Sequence, residues 1–152
     1  MTNNSVTLTR SMLAIAVLSL MITSCGPSKT AQCKEILQTI QQAESGRAYG
    51  NQNRQTYQIN AQIYQKLADD LAAMNVRNKA LQTHQVQLVE AYRGLMISLN
   101  HFIEASNEEG HLSYIVGDRE GKAKVNAVEA EQMQAHNKVS LAMELFYNTC
   151  SN

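Results

Sequence analysis

Beyond Pro27 the chain contains no proline, and over that length its apolar residues recur at intervals of three and four. This constrains the fold more than any other feature. The interval is one face of an α-helix, and no proline breaks the backbone hydrogen-bond ladder. Four stretches carry the pattern. Within 29–45, Cys33, Ile36, Leu37, Ile40 and Ala43 share a face, and Gly46 and Gly50 mark the break after it. Within 54–74, Tyr57, Ala61, Tyr64, Leu67, Leu71 and Met74 keep a near-heptad spacing that suits antiparallel packing at small crossing angles. Residues 75–78 read as a tight turn, with Asn78 as N-cap of the next helix. Within 79–106 the stripe is Leu81, Leu88, Tyr92, Leu95, Leu99 and Phe102, flanked by Val89, Met96 and Ile103. Gly94 sits mid-helix, where glycine costs ~1 kcal/mol relative to alanine, and is expected to mark the close approach of a neighbouring helix. Within 121–149, Val125, Val128, Ala135, Val139, Ala142, Leu145 and Phe146 form a weaker stripe, interrupted by Gln132. Asp118 suits the N-cap of this helix, and Glu120 its positive end.

Composition agrees with helix and limits the class. Aromatics make up 5% of the chain, and Ala, Leu, Gln, Glu, Lys and Met dominate, which favours helix over strand. A chain of 152 residues suits one domain. With 13 basic and 13 acidic residues there is no basic footprint, so nucleic acid is not an expected partner.

The N-terminus reads as an address. The apolar run 11–22 is too short for a transmembrane helix, which needs ~20 residues, and fits the core of a secretory signal. It is followed by Leu20-Met21-Ile22-Thr23-Ser24-Cys25-Gly26, an aliphatic residue and two small ones before a cysteine. This resembles the lipobox of bacterial lipoproteins. The resemblance implies removal of residues 1–24 and acylation of Cys25, through sulfur and as the new N-terminus. More than one acyl chain makes a stable anchor. An ordinary cleaved signal is the alternative. Removing Arg10 with the signal leaves 12 basic against 13 acidic residues, a mature chain without electrostatic pull toward anionic lipid.

With Cys25 lipidated, Cys33 and Cys150 remain. Outside the cytoplasm their default is a disulfide. Neither has a Cys or His at metal-ligand spacing, and no Cys-x-x-Cys suggests redox catalysis. A bridge between them would close nearly the whole domain, and it bears on helix count. An even number of antiparallel helices returns the C-terminus to the end where the first helix began. An odd number leaves the termini ~30 Å or more apart, beyond the ~7 Å limit for bridged Cα atoms. Pattern and bridge therefore both favour an all-α, antiparallel up-down four-helix bundle over residues 31–150, with 25–30 as lipidated cysteine and tether.

The segment Ala31-Gln32-Cys33-Lys34-Glu35-Ile36-Leu37 soon after a lipobox, together with the terminal Tyr147-Asn148-Thr149-Cys150, resembles a group of small cyanobacterial lipoproteins with an A-Q-C start and a terminal cysteine. That likeness implies architecture and compartment only.

Chemistry is sparse. Glu108-Glu109-Gly110-His111 matches the Glu-x-x-His spacing of di-iron bundles, but such sites need the motif twice on continuous helices. Glu108 and His111 are thus weak metal candidates, and a solvated face is the expected reading. No nucleophile elbow, P-loop or dinucleotide glycine pattern occurs, so no enzyme and no cofactor is expected. Tyr49, Tyr114 and Ile115 fall in expected loops and are candidate partner contacts, since tyrosine is enriched at interfaces. The Gln- and Asn-rich run through Asn51, Gln52, Asn53, Gln55, Gln58, Asn60, Gln62 and Gln65 reads as an uncharged solvated face or a hydrogen-bonding surface. The apolar segment 111–117 either caps the core or forms a contact patch. The expectation is a non-catalytic binding or accessory subunit, held to a membrane through its lipid. A metal- or small-ligand-binding bundle and a passive envelope component are the alternatives.

Overall fold

The computed structural model describes residues 27–49, 53–107, 110–112 and 118–151. Four helices account for most of them: α1 (Lys29–Ser45), α2 (Arg54–Ala73), α3 (Lys79–Ala105) and α4 (Arg119–Ser151). Each begins where a short polar side chain takes up free backbone N–H groups. Ser28 Oγ accepts from Ala31 N, Asn53 Oδ1 from Thr56 N, and Asn78 Oδ1 from Leu81 N. Asp118 Oδ1 accepts from Glu120 N at the start of α4.

The helices pack as a ring: α1 against α2 and α4, and α3 against α2 and α4. The pairs α2–α3 and α3–α4 run in opposite directions. Between α3 and α4 the paired residues are His84 with Thr149 (2.8 Å), Tyr92 with Met143 (3.8 Å) and His101 with Glu131 (2.9 Å). Between α2 and α3, Gln85 meets Leu71 near one end, and the Tyr57 and Phe102 rings meet near the other. The Cys33–Cys150 disulfide joins the first turns of α1 to the last turn of α4, with Cα atoms 5.9 Å apart.

The core follows the expected stripes, with Ile36, Leu67, Leu71, Leu81, Leu88, Leu95 and Phe146 fully buried. Three buried amides join it by satisfying backbone of other segments. Gln32 receives the Arg77 and Asn78 N–H groups on Oε1 (2.6 and 3.2 Å) and donates to Pro27 O, tying the start of α1 to the α2–α3 turn. Gln85 donates to the carbonyls of Leu71 and Met74 at the end of α2, adding to the N–H groups of Met74 and Val76 that they already receive. Asn60 clamps Ala48 through both its N–H and its C=O.

Two expectations fail. A Cβ on Gly94 would meet nothing within 4 Å outside its own helix, so no neighbour approaches there. Leu145 is 38% exposed, although assigned to the α4 stripe. It lies with Leu141 in a surface groove between α4 and α3, beside Gln87 and Glu90. The helices also differ in length. At ~1.5 Å per residue, the 33-residue α4 spans ~50 Å and the 17-residue α1 only ~25 Å. Much of α4 thus lies outside the reach of α1, and no residue of α4 before Ala135 is buried.

Candidate functional site

After Gly46, α1 gives way to the irregular segment 47–49, which folds back onto α2. The Asn60 clamp holds it there: Ala48 N donates to Asn60 Oδ1 (2.9 Å), and Asn60 Nδ2 donates to Ala48 O (3.3 Å). This positions Arg47 and Tyr49 over a cavity of about 290 Å³ between this segment, α2, α3 and α4. That is near the lower end of ligand-pocket volumes.

Its walls are aromatic on the α2 side. The Tyr57 ring lies 4.5 Å from that of Phe102, and Tyr64 stacks on Tyr92 at 5.8 Å. Leu99 of α3 contributes apolar surface. Across from them α4 presents Gln132 and His136, one helical turn apart. Gln132 interrupts the apolar stripe of this helix in the sequence, and the interruption coincides with the cavity.

Arg47 dominates the electrostatics. Its guanidinium carbon lies 5.4 Å from the Tyr49 ring centre and 5.5 Å from that of Tyr64, a double cation–π arrangement. Nη1 donates to Glu44 Oε2 at 2.8 Å. Nε is buried and finds no acceptor among the described residues, although the side chain as a whole is 29% exposed. Burial, the nearby Arg47 charge second, holds the His136 imidazole below its ordinary pKa of 6.5, with Glu44 opposing. Burial also raises the Tyr64 phenol, which stays protonated.

The residues singled out from sequence are placed unevenly. Cys33 and Cys150 are joined. Tyr49 stands 75% exposed at the lip of the cavity and donates to Glu44 O at 3.5 Å. His111 is exposed on the α3–α4 connection, where its backbone N–H donates to Asn107 Oδ1. Cys25, Glu108, Tyr114 and Ile115 lie outside the described residues. Among the described residues no three His, Cys, Asp or Glu side chains gather in a metal-holding group. His101 instead pairs with Glu131 at 2.9 Å. Of the amide-rich run, Asn53 and Asn60 are structural, a cap and a clamp, whereas Gln55, Gln58, Gln62 and Gln65 are exposed.

Arg47 and His136 carry no signal in the sequence. One follows a helix-ending glycine, and the other sits on a polar face. Their proximity comes from the reversal at Gly46 and the antiparallel return of α4. Comparison with protein-family models, with curated proteins and with solved structures gives no match.

Proposed function

We propose that this chain is a lipid-anchored extracytoplasmic helical bundle that acts without catalysis, as a binding or accessory subunit at a membrane surface. The observation that carries the reading is the disulfide. Cys33 and Cys150 meet across a sequence separation of 117 residues, and such bridges persist in oxidising compartments. That supports export, as the lipobox-like run ending at Cys25 does from the sequence.

The bridge also bears on orientation. Ser28 caps α1, which begins at Lys29, so at most ~14 Å of extended chain separates Cys25 from the first helix. A lipid on Cys25 would hold the disulfide end and the 74–78 turn at the bilayer. The Arg47 cavity would lie about 20 Å farther out along α1, at ~1.5 Å per residue. Among the described residues no helix is long and apolar enough to cross a membrane, so on this reading attachment rests on the acyl chains.

Fractionation of the native host tests the proposal. The wild-type chain is expected in the membrane fraction, with an N-terminal peptide whose mass includes acyl chains on Cys25. Cys25→Ser is expected to abolish both. An unmodified N-terminal peptide from the wild type would sink the anchor. Cross-linking at native abundance is expected to recover a stoichiometric partner. Repeated recovery of this chain alone would leave a passive envelope component in its place.

A further inference from the structure

The cavity beside Arg47 is built from groups that do not need one another. Glu44 takes only Nη1 of the guanidinium, which leaves the edge formed by Nε and Nη2. Buried Nε has no acceptor among the described residues, and an unmet buried donor costs ~1–3 kcal/mol. Asn60, which also lines the cavity, is committed to Ala48 through both polar atoms. The opposite wall supplies Gln132 and His136, and the remaining surface is tyrosine ring, Leu99, Ala48 and Thr56.

From this placement we infer that the cavity binds a small organic carboxylate, its two oxygens on the Nε–Nη2 edge of Arg47 and its apolar body between the tyrosines and Leu99. The class follows from the donors. Arginine offers hydrogens only, in a planar fork that matches a carboxylate through two parallel bonds. Gln132 and His136 on α4 add polar groups that can close over the oxygens or a substituent beside them. The tyrosine rings and Leu99 offer one apolar side to a compact body, within a lining that is otherwise polar. The volume of about 290 Å³ selects metabolite-sized molecules. Glu44 sharpens the choice. Its carboxylate already balances one positive charge, which weakens the site for multiply charged anions such as phosphate, while a monocarboxylate keeps the geometric match. The inference goes beyond the anchoring proposal and does not depend on it.

Titration of the full chain in detergent with benzoate, followed by NMR at Arg47 Nε–H and the His136 ring, tests the site. Benzoate is expected to shift both resonances saturably. Benzamide, the same shape without charge, and inorganic phosphate, charge without the apolar body, are expected to bind at least about tenfold more weakly, the scale of one charge-assisted hydrogen bond. Arg47→Lys keeps the charge and removes the fork, and is expected to weaken benzoate about ten- to a hundredfold. His136→Phe, on the opposite wall, fills the cavity without touching Arg47 and is expected to weaken benzoate by at least as much. Lys138→Gln, which does not line the cavity, is expected to leave binding unchanged. Absence of saturable shifts overturns the inference. So does equal binding of benzamide or phosphate, or wild-type benzoate affinity in either cavity variant.

Discussion

Gly94 and Gln85 show how differently two residues of one helix act. Gly94 has helical backbone and open space where its Cβ would be. Gly94→Ala is therefore expected to stabilise the fold by ~1 kcal/mol, because alanine loses less backbone entropy in a helix. A raised denaturant midpoint at unchanged slope checks it. Gln85 is buried among leucines, but its amide holds the last carbonyls of α2. Gln85→Leu matches the stripe better but removes one of the two donors to each of those carbonyls, so a loss of ~0.5–1.5 kcal/mol is expected in the same assay. The histidines diverge as well. Burial holds His136 below 6.5, so its contribution to stability is present above 6.5 and is lost as pH falls through its folded pKa. The Glu131 hydrogen bond and charge raise His101 above 6.5. Its contribution is present below 6.5 and fades as pH rises through its folded pKa. Ring-proton titrations by NMR are expected to bracket 6.5, with His136 below and His101 above. A reversed order would contradict both environments.

At the scale of elements, α1 is held differently from the other three. It is the shortest helix and is fastened chiefly at its ends, by the disulfide and Gln32 at one and by the 47–49 segment at the other. The α2–α3 and α3–α4 pairs share a continuous apolar seam built on α3, which has the most buried residues of any helix. Removing the bridge with Cys33→Ser and Cys150→Ser is thus expected to lower stability by ~2–5 kcal/mol. The loss should fall unevenly, with amide exchange in α1 accelerating first and α3 remaining protected. Uniform loss of protection would mean that α1 is integral to one cooperative unit.

Across the whole molecule, the bridge and the cavity occupy opposite ends of α1. The Cys33 end is fastened by backbone-satisfying bonds and a covalent link, and beside its 74–76 turn lies a cavity of about 570 Å³ edged by Gln82, Gln85, Glu90 and Arg93. The other end combines a loop turned back on α2, aromatic rings and ionisable side chains. On the anchoring proposal, the disulfide end faces lipid and the Arg47 end faces away. Non-reducing electrophoresis is expected to show the native chain migrating ahead of its reduced form. Identical mobility would remove the covalent closure on which this polarity depends.

Helix number, helix ends and most of the core were legible in the sequence because they depend on local quantities. Period, capping residues and breaks act within a few residues, and Asn78 and Asp118 could be recognised as caps before any coordinates. The cysteine pairing was legible too, since only two thiols remained after Cys25 was set aside and an even helix count brings the ends together. What the sequence could not determine are contacts that depend on distant stretches meeting. The burial of Gln32, Gln85 and Asn60 depends on backbone groups up to 46 residues away. The exposure of Leu145 follows from its place in the outer groove between α3 and α4. The Arg47 cavity needs three helices and a loop to converge. Periodicity reports which face of a helix is apolar. Only the tertiary structure decides what stands opposite that face, and whether a polar side chain there finds a backbone partner or an open cavity.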